Sequence, residues 1–192
     1  MLIVPILSII YLVVVYGLYV IKLFELKKKG KDVDLIKKNS YSTGKYIVNI
    51  ATVLACCAIF IIDILSLVGV MKVYIISIII RIVSLMISGV GVVFFIGAVK
   101  NMKDNWRVKD EADSDIELVV NGMYAYTRNP AYMGIIFLVI GLTINVPSMC
   151  NIVLSVLIIV LLNIKIITEE KSLEERFGEE YLAYKKKVHR YI

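Results

Sequence analysis

The side chains with the greatest chemical potential in this sequence lie after residue 100, around one apolar hairpin. Lys165 stands one helical turn before Glu169, which puts an ammonium and a carboxylate on the same helix face, and Glu170 follows directly. The hairpin brings these three residues near Asn129. A carboxylate accepts hydrogen bonds from amines and hydroxyls, whereas a lysine or arginine side chain binds a carboxylate. The arrangement predicts a polar site at the open end of the hairpin.

Asn129 and Pro130 mark the start of the first helix of this hairpin. Asparagine is a favoured N-cap, and proline is favoured at the first helical position. We therefore predict a helix that begins at Pro130 with the Asn129 side chain as its cap. The same helix N-terminus presents free N–H groups and the positive end of the helix dipole, which suits a carboxylate, so a structural role and a binding role are compatible here.

The elements that must hold this site are membrane helices. Apolar residues make up 59% of the 192 residues and charged residues 20%, against about 45–50% and about 25% in a soluble domain. A helix of roughly 20 apolar residues crosses the ~30 Å hydrocarbon core. The apolar runs cover residues 2–24, 46–70, 73–99, 131–146 and 149–167. We predict an all-α integral membrane protein, a single domain with about five transmembrane helices.

The C-terminal tail is a separate, amphipathic element. Leu173, Phe177, Tyr181, Tyr184 and Val188 recur at helical spacing. We predict a C-terminal amphipathic helix that either lies on the membrane or folds back on the core.

The net charge of +6 is explained by topology. Nearly all of the 22 basic residues fall in three blocks, between spans one and two, between spans three and four, and after span five. With five spans these blocks share one side, which the positive-inside rule makes cytoplasmic, with the N-terminus outside. The basic side is suited to anionic membrane lipids, so we expect no nucleic-acid partner. One histidine and three cysteines without ligand spacing predict no metal site.

Two charges fall inside apolar runs. Asp63 and Arg81 are each nine residues from Lys72, so a hairpin that turns near Lys72 places them at the same depth. An ion pair would offset the cost of burying each charge. We favour this structural pair over a proton or ion relay, which usually needs more than one acid.

At this point the sequence resembles a known family. The block Gly-x-Tyr-x-Tyr-x-Arg-x-Pro-x-Tyr-x-Gly at 122–134, the apolar hairpin, the Glu169-Glu170 pair and the Phe-Gly-x-x-Tyr-x-x-Tyr block at 177–184 are similar to the isoprenylcysteine carboxyl methyltransferases. Phospholipid N-methyltransferases are relatives of that family. The resemblance covers roughly residues 85–190.

The resemblance implies a cofactor, S-adenosylmethionine, and an amphiphilic substrate that enters from the bilayer. A basic residue before the Glu pair holds the substrate in that family, which assigns Lys165 here; Arg128 is a second candidate for holding the acceptor carboxylate. The cofactor contacts carried over are Leu118, Val119, Tyr124, Asn129, Pro130, Ala131, Tyr132, Glu169 and Glu170. Aromatic faces such as Tyr124 and Tyr132 suit the sulfonium cation. Gly89 and Gly91 resemble the Gly-x-Gly of the phospholipid branch, although paired glycines in a membrane helix more often allow close packing.

Three positions depart from the family pattern. Asn129 stands where the family has histidine before proline, Ile116-Glu117 stands where a second histidine is frequent, and Lys165 replaces the usual arginine. Asparagine still hydrogen-bonds a carboxylate or hydroxyl, and lysine keeps the charge but loses the bidentate fork. The leading hypothesis is a methyltransferase with its site at the cytoplasmic membrane face. The alternatives are a phospholipid N-methyltransferase, an NADPH-dependent reductase of the steroid-reductase type, and a non-catalytic membrane protein.

Overall fold

The computed structural model describes residues 3–29, 43–102 and 117–191, and within these ranges every regular element is a helix. The elements are α1 (Ile3–Lys28), α2 (Thr43–Leu67), α3 (Ile78–Met102), a short 3₁₀ helix (Gly122–Ala125), α4 (Pro130–Asn145), α5 (Met149–Phe177) and α6 (Glu179–Lys187). Much of the chain between the first two predicted spans and between the third and fourth, including Ile116, lies outside the described residues.

Four of the helices, α1, α2, α3 and α5, are long and apolar enough to cross a membrane, and α4 is a shorter apolar helix. Large apolar side chains such as Leu54, Ile79 and Val93 are more than half exposed on the outside of the bundle. A surface of this kind is covered by lipid in a membrane protein. The prediction of an all-α integral membrane protein is confirmed.

The connection between α2 and α3 differs from the expected tight turn. Helix α3 begins at Ile78, five residues after the predicted start, because residues 72–77 form no regular secondary structure. The backbone N–H of Tyr74 donates a 2.8 Å hydrogen bond to the carbonyl of Pro147 in the α4–α5 turn. An apolar run alone does not distinguish a buried non-helical segment from a helix, and here the backbone contacts a distant turn.

The predicted ion pair between Asp63 and Arg81 is wrong. Asp63 accepts a 3.0 Å hydrogen bond from the Asn151 side chain. Arg81 donates through Nη1 to the carbonyl of Asn145, 3.2 Å away at the last residue of α4. Carbonyls at a helix C-terminus lack partners within the helix, and they attract a cation. Each charge therefore packs against the α4–α5 hairpin, and no ion pair joins the two among the described residues.

Helices α3 and α4 approach each other backbone to backbone. A Cβ atom on Gly91 would lie 2.5 Å from the carbonyl oxygen of Gly134, and a Cβ on Gly134 would lie 2.7 Å from that of Gly91. Farther along, a Cβ on Gly141 would lie 2.6 Å from the carbonyl oxygen of Ser84. Small residues permit this packing in membranes, where no hydrophobic force drives helices together. The packing interpretation of Gly91 is confirmed, while Gly89 instead faces the Tyr11 side chain.

The hairpin and the tail complete the frame around the site. Ser148 caps α5 by accepting a hydrogen bond from the N–H of Asn151, and α5 then runs past the bundle to Phe177. Gly178 has a positive φ of 51°, which glycine adopts without strain, and the chain turns into α6. Tyr181 and Tyr184 of α6 are buried, at 1% and 8% exposure. The tail therefore folds back on the core, one of the two arrangements expected of it.

Candidate functional site

The first turn of α4 meets the polar end of α5. Tyr132 donates a short hydrogen bond from its hydroxyl to Oε1 of Glu169. One turn earlier in α5, the Lys165 ammonium lies 5.8 Å from the centre of the Tyr132 ring. Helix periodicity puts Lys165 and Glu169 on one face, and the antiparallel hairpin turns that face toward Tyr132. The structure thus brings together three of the predicted site residues, which we name the Tyr132 group.

Lys165 is the positively charged member of this group. Its ammonium has a ring face beside it, but among the described residues it makes no recorded hydrogen bond or ion pair. Glu169 is exposed, with one oxygen accepting from Tyr132. A half-buried cation that has no ion-pair partner in the described part of the chain is suited to binding an anionic group, because its charge has already been desolvated in part.

Tyr124 borders the group from the 3₁₀ helix. Its side chain is 7% exposed, and its carbonyl accepts a 2.6 Å hydrogen bond from the Tyr184 hydroxyl of α6. Burial, reinforced by the negative charge of Glu169, raises the pKa of the Tyr124 phenol above its ordinary value, so the ring stays neutral. Leu118 and Val119, in the segment that leads to this 3₁₀ helix, are half-buried.

Glu170 points in a different direction from Glu169, about 100° around the helix, and forms a different cluster. Its Oε1 accepts from Asn129 Nδ2 at 3.0 Å and from Arg128 Nε at 3.2 Å. Its Oε2 accepts from Arg190 at 2.8 and 3.1 Å and from Arg128 at 3.3 Å. Glu170 is 3% exposed. A buried carboxylate with two guanidinium partners and an amide is fully compensated, and we name this set the Glu170 cluster.

This cluster changes the interpretation of Asn129 and Arg128. The helix begins at Pro130 as predicted, but the predicted cap is wrong, because the Asn129 side chain makes no capping hydrogen bond and donates to Glu170. Arg128 bonds to Glu170 and to the carbonyls of Lys185 and Val188, and its side chain is 7% exposed. Both residues are therefore occupied by contacts within the protein. Pro130 is buried and Ala131 is half-buried between the two groups.

Arg190 was not predicted for the site. It lies in the tail, and its hydrogen bond with Glu170 raises the pKa of its guanidinium. Its spacing in the sequence does not distinguish Arg190 from the other basic residues of the tail. The hydrogen bond joins two residues that are 20 positions apart, and the chain turns between them at Gly178.

Helices α1 and α2 supply a further polar border that the sequence did not indicate. Tyr16 and Tyr19 of α1 and Cys56 of α2 pack against the same buried core as Tyr132. A tyrosine within an apolar run is usually interpreted as a core residue. The packing of α1 against the hairpin brings these two tyrosines near the Tyr132 group.

Comparison with known families gives a match that contains the Tyr132 group and most of the Glu170 cluster. Residues 79–180 match the family described as phospholipid methyltransferase. The matched segment covers α3, α4, α5 and the start of α6, and it includes the Tyr132 group together with Arg128, Asn129 and Glu170; only Arg190 of the two groups lies beyond it.

Several curated proteins are similar to part of the chain. Protein-S-isoprenylcysteine O-methyltransferase of Saccharomyces cerevisiae is 34% identical over 82 residues, which is 42% of this chain and 34% of the yeast protein. The Mus musculus protein of the same name is 35% identical over 85 residues, 44% of this chain and 30% of the mouse protein. The Schizosaccharomyces pombe protein of that name is 33% identical over 82 residues, 42% of this chain and 35% of its own length. The aligned part spans about a third of the length of these relatives.

Proposed function

The chain belongs to the phospholipid methyltransferase family, and on that premise we propose that it is a membrane methyltransferase that uses S-adenosylmethionine and methylates an amphiphilic acceptor. The proposal depends on one observation, the Tyr132 group. Within the family segment this group brings together an aromatic ring, a carboxylate and an ammonium that has no ion pair among the described residues. The basic blocks of the sequence support a location of this end of the bundle at the cytoplasmic face, with the N-terminus outside.

The donor set fits the proposed cofactor. When bound, S-adenosylmethionine supplies a methyl group on a positively charged sulfur. Glu169 is exposed and can accept hydrogen bonds from an amino group or from hydroxyls, and the ring faces of Tyr132 and Tyr124 suit a cation. Leu118, Val119 and Ala131 would supply apolar contacts. Asn129, Pro130 and Glu170 would support this surface from behind, because Asn129 and Glu170 are bonded to each other and to arginines.

The chain's part in the reaction is alignment. A carboxylate acceptor is ionised at neutral pH, so no residue has to remove a proton from it, and most of the rate gain comes from holding the two reactants in line. We assign the acceptor to Lys165 alone, since Arg128 is committed to Glu170. Lys165 lies at the end of the apolar part of α5, where an amphiphile can present its polar end and keep its apolar tail in the bilayer.

The charge of Lys165 favours an anionic acceptor. A carboxylate would be attracted to the ammonium, and the relatives are named as O-methyltransferases of protein-S-isoprenylcysteine. An amine acceptor, which the phospholipid branch would require, would be repelled by it and would also need a group to accept a proton. We therefore propose O-methylation of a lipid-like carboxylate.

The cofactor assignment is tested by calorimetric titration of S-adenosylmethionine into the full chain in lipid nanodiscs. Tyr132→Phe and Glu169→Gln should each weaken binding about tenfold or more, the size expected when a hydrogen bond to a charged group is lost. The matched controls are Tyr74→Phe and Glu175→Gln, exposed residues away from the group, and both should bind as wild type. Absence of binding by the wild type, or stabilisation by NADPH in its place, would refute the proposal.

The acceptor assignment needs a separate measurement. With a radioactive methyl donor, a prenylated cysteine with a free carboxylate should be labelled, and phosphatidylethanolamine should not. Lys165→Met should raise the KM for the carboxylate about tenfold with donor affinity unchanged, while Lys165→Arg should retain it. Labelling of the amine lipid by a protein that binds the donor normally would contradict O-methylation and support the phospholipid branch.

A further inference from the structure

The end of the tail is joined to the loop that precedes α4. The backbone N–H of Arg128 donates to the carbonyl of His189 at 3.0 Å, and the Thr127 hydroxyl donates to the carbonyl of Arg190 at 2.9 Å. Thr127 is fully buried at 0% exposure. The tail residues 188–190 therefore pack directly against residues 127–129.

The Arg190 side chain adds a second contact, and together Arg190 and Arg128 form a clamp on the Glu170 carboxylate. It bonds through Nη2 and Nε to Oε2 of Glu170, at 2.8 and 3.1 Å, while Arg128 approaches Oε1 from the other side at 3.1 Å. The two arginines differ in access, since the Arg190 side chain is 36% exposed and that of Arg128 is 7% exposed. Arg190 is thus the half of the clamp that can be removed without opening the core.

Glu170 is connected to both sides of the Tyr132 group. It follows Glu169 in the same turn of α5, so the two residues share one segment of backbone. It also accepts from Asn129, three residues before Tyr132 in the first turn of α4. One carboxylate thereby fixes the relative position of the two helices at the point where Tyr132 donates to Glu169.

We propose that Arg190 is a positioning residue for the donor-binding site: by clamping Glu170 from the tail, it holds the Tyr132–Glu169 hydrogen bond in register. This rests on the proposed function for the ligand of that site, but the positional claim stands on the contacts themselves. Removal of Arg190 should loosen the first turn of α4 and weaken binding of S-adenosylmethionine through the loss of its bonds to Glu170.

The first test follows the backbone directly. Hydrogen–deuterium exchange of residues 127–134 is compared for wild type, Arg190→Ala, Arg190→Lys and Lys186→Ala in nanodiscs; Lys186 is an exposed lysine of the same tail. Arg190→Ala should exchange about tenfold faster in this segment, since a fork of charge-assisted bonds is lost. Arg190→Lys should be intermediate, because lysine lacks the fork, and Lys186→Ala should match wild type. Equal exchange in Arg190→Ala and wild type would overturn the proposal.

The second test separates positioning from general stability by a double-mutant cycle on donor affinity. Arg190→Ala should weaken binding of S-adenosylmethionine about tenfold in the wild-type background and less than about twofold in the Tyr132→Phe background, where the hydrogen bond is already absent. The same fold-loss in both backgrounds would show that Arg190 acts elsewhere, which overturns the proposal. If the wild type binds no donor, the proposed function fails, and the exchange of residues 127–134 decides the role of Arg190 by itself.

Discussion

Asp63 and Glu170 are buried to nearly the same degree, at 1% and 3% exposure, yet their surroundings are opposite. Glu170 accepts from two guanidinium groups and an amide. Asp63 accepts from one amide, and its Oδ2 is buried without a hydrogen-bond partner in the part of the chain that the structure describes. The two carboxylates lie at opposite ends of the α4–α5 hairpin. Two equally buried carboxylates can therefore contribute differently to the free energy of unfolding, because the cost of removing a buried charge depends on the charged partners that are left behind.

The largest effect is expected at the compensated end. Glu170→Gln keeps the shape of the side chain but leaves the buried Arg128 guanidinium without its carboxylate, and breaking a buried pair in this way costs about 3–5 kcal/mol. The free energy of unfolding in SDS-containing mixed micelles measures this loss.

Glu175→Gln provides the matched control for Glu170→Gln. Glu175 lies 3.9 Å from Lys171 in an exposed pair of the same helix, and its substitution should change stability by less than about 1 kcal/mol. Similar losses in the two variants would mean that burial of Glu170 contributes nothing, and the contrast with Asp63 would fail.

A smaller effect is expected at the other end. Asp63→Asn keeps an oxygen that can accept from Asn151, and no described cation loses a partner. We expect the free energy of unfolding to change by about 1 kcal/mol or less in the same assay, the value of a single net hydrogen bond. A loss as large as that of Glu170→Gln would reveal a charge partner for Asp63 and remove the distinction between the two ends.

The smallest expected effect is the coupling free energy between Asp63 and Arg81. Since Arg81 bonds to the carbonyl of Asn145 rather than to Asp63, the stability losses of Asp63→Asn and Arg81→Gln should add to within about 0.5 kcal/mol in a double-mutant cycle. Coupling of more than about 1 kcal/mol would restore the ion pair expected from spacing.

Spacing predicted well where the contact is local or where the two helices of the hairpin run side by side. The start of α4 at Pro130 and the shared face of Lys165 and Glu169 follow from helix geometry, and the structure places both as expected. Apolar length likewise located the helices, because the cost of leaving backbone groups unpaired in lipid permits little else.

Spacing failed where a partner lies elsewhere in the chain. The ion pair of Asp63 assumed a hairpin that turns near Lys72, but residues 72–77 are not helical and the Asp63 side chain bonds to Asn151 in α5. The different directions of Glu169 and Glu170, about 100° apart around the axis, follow from helix geometry. The identity of Glu170's partners, however, depends on the fold of the tail, which brings Arg190 back across the hairpin. Neither contact can be predicted from the spacing of residues near Asp63 or Glu170 in the sequence.

The contact of Gly91 with Gly134 has a mechanical consequence. Because backbone meets backbone at this point, with no room even for a Cβ atom, the two helices cannot slide past each other here through a change of side-chain rotamers, which is how packed helices shear. We therefore expect α3 and α4 to move together at this crossing, which lies in the same helix as Tyr132.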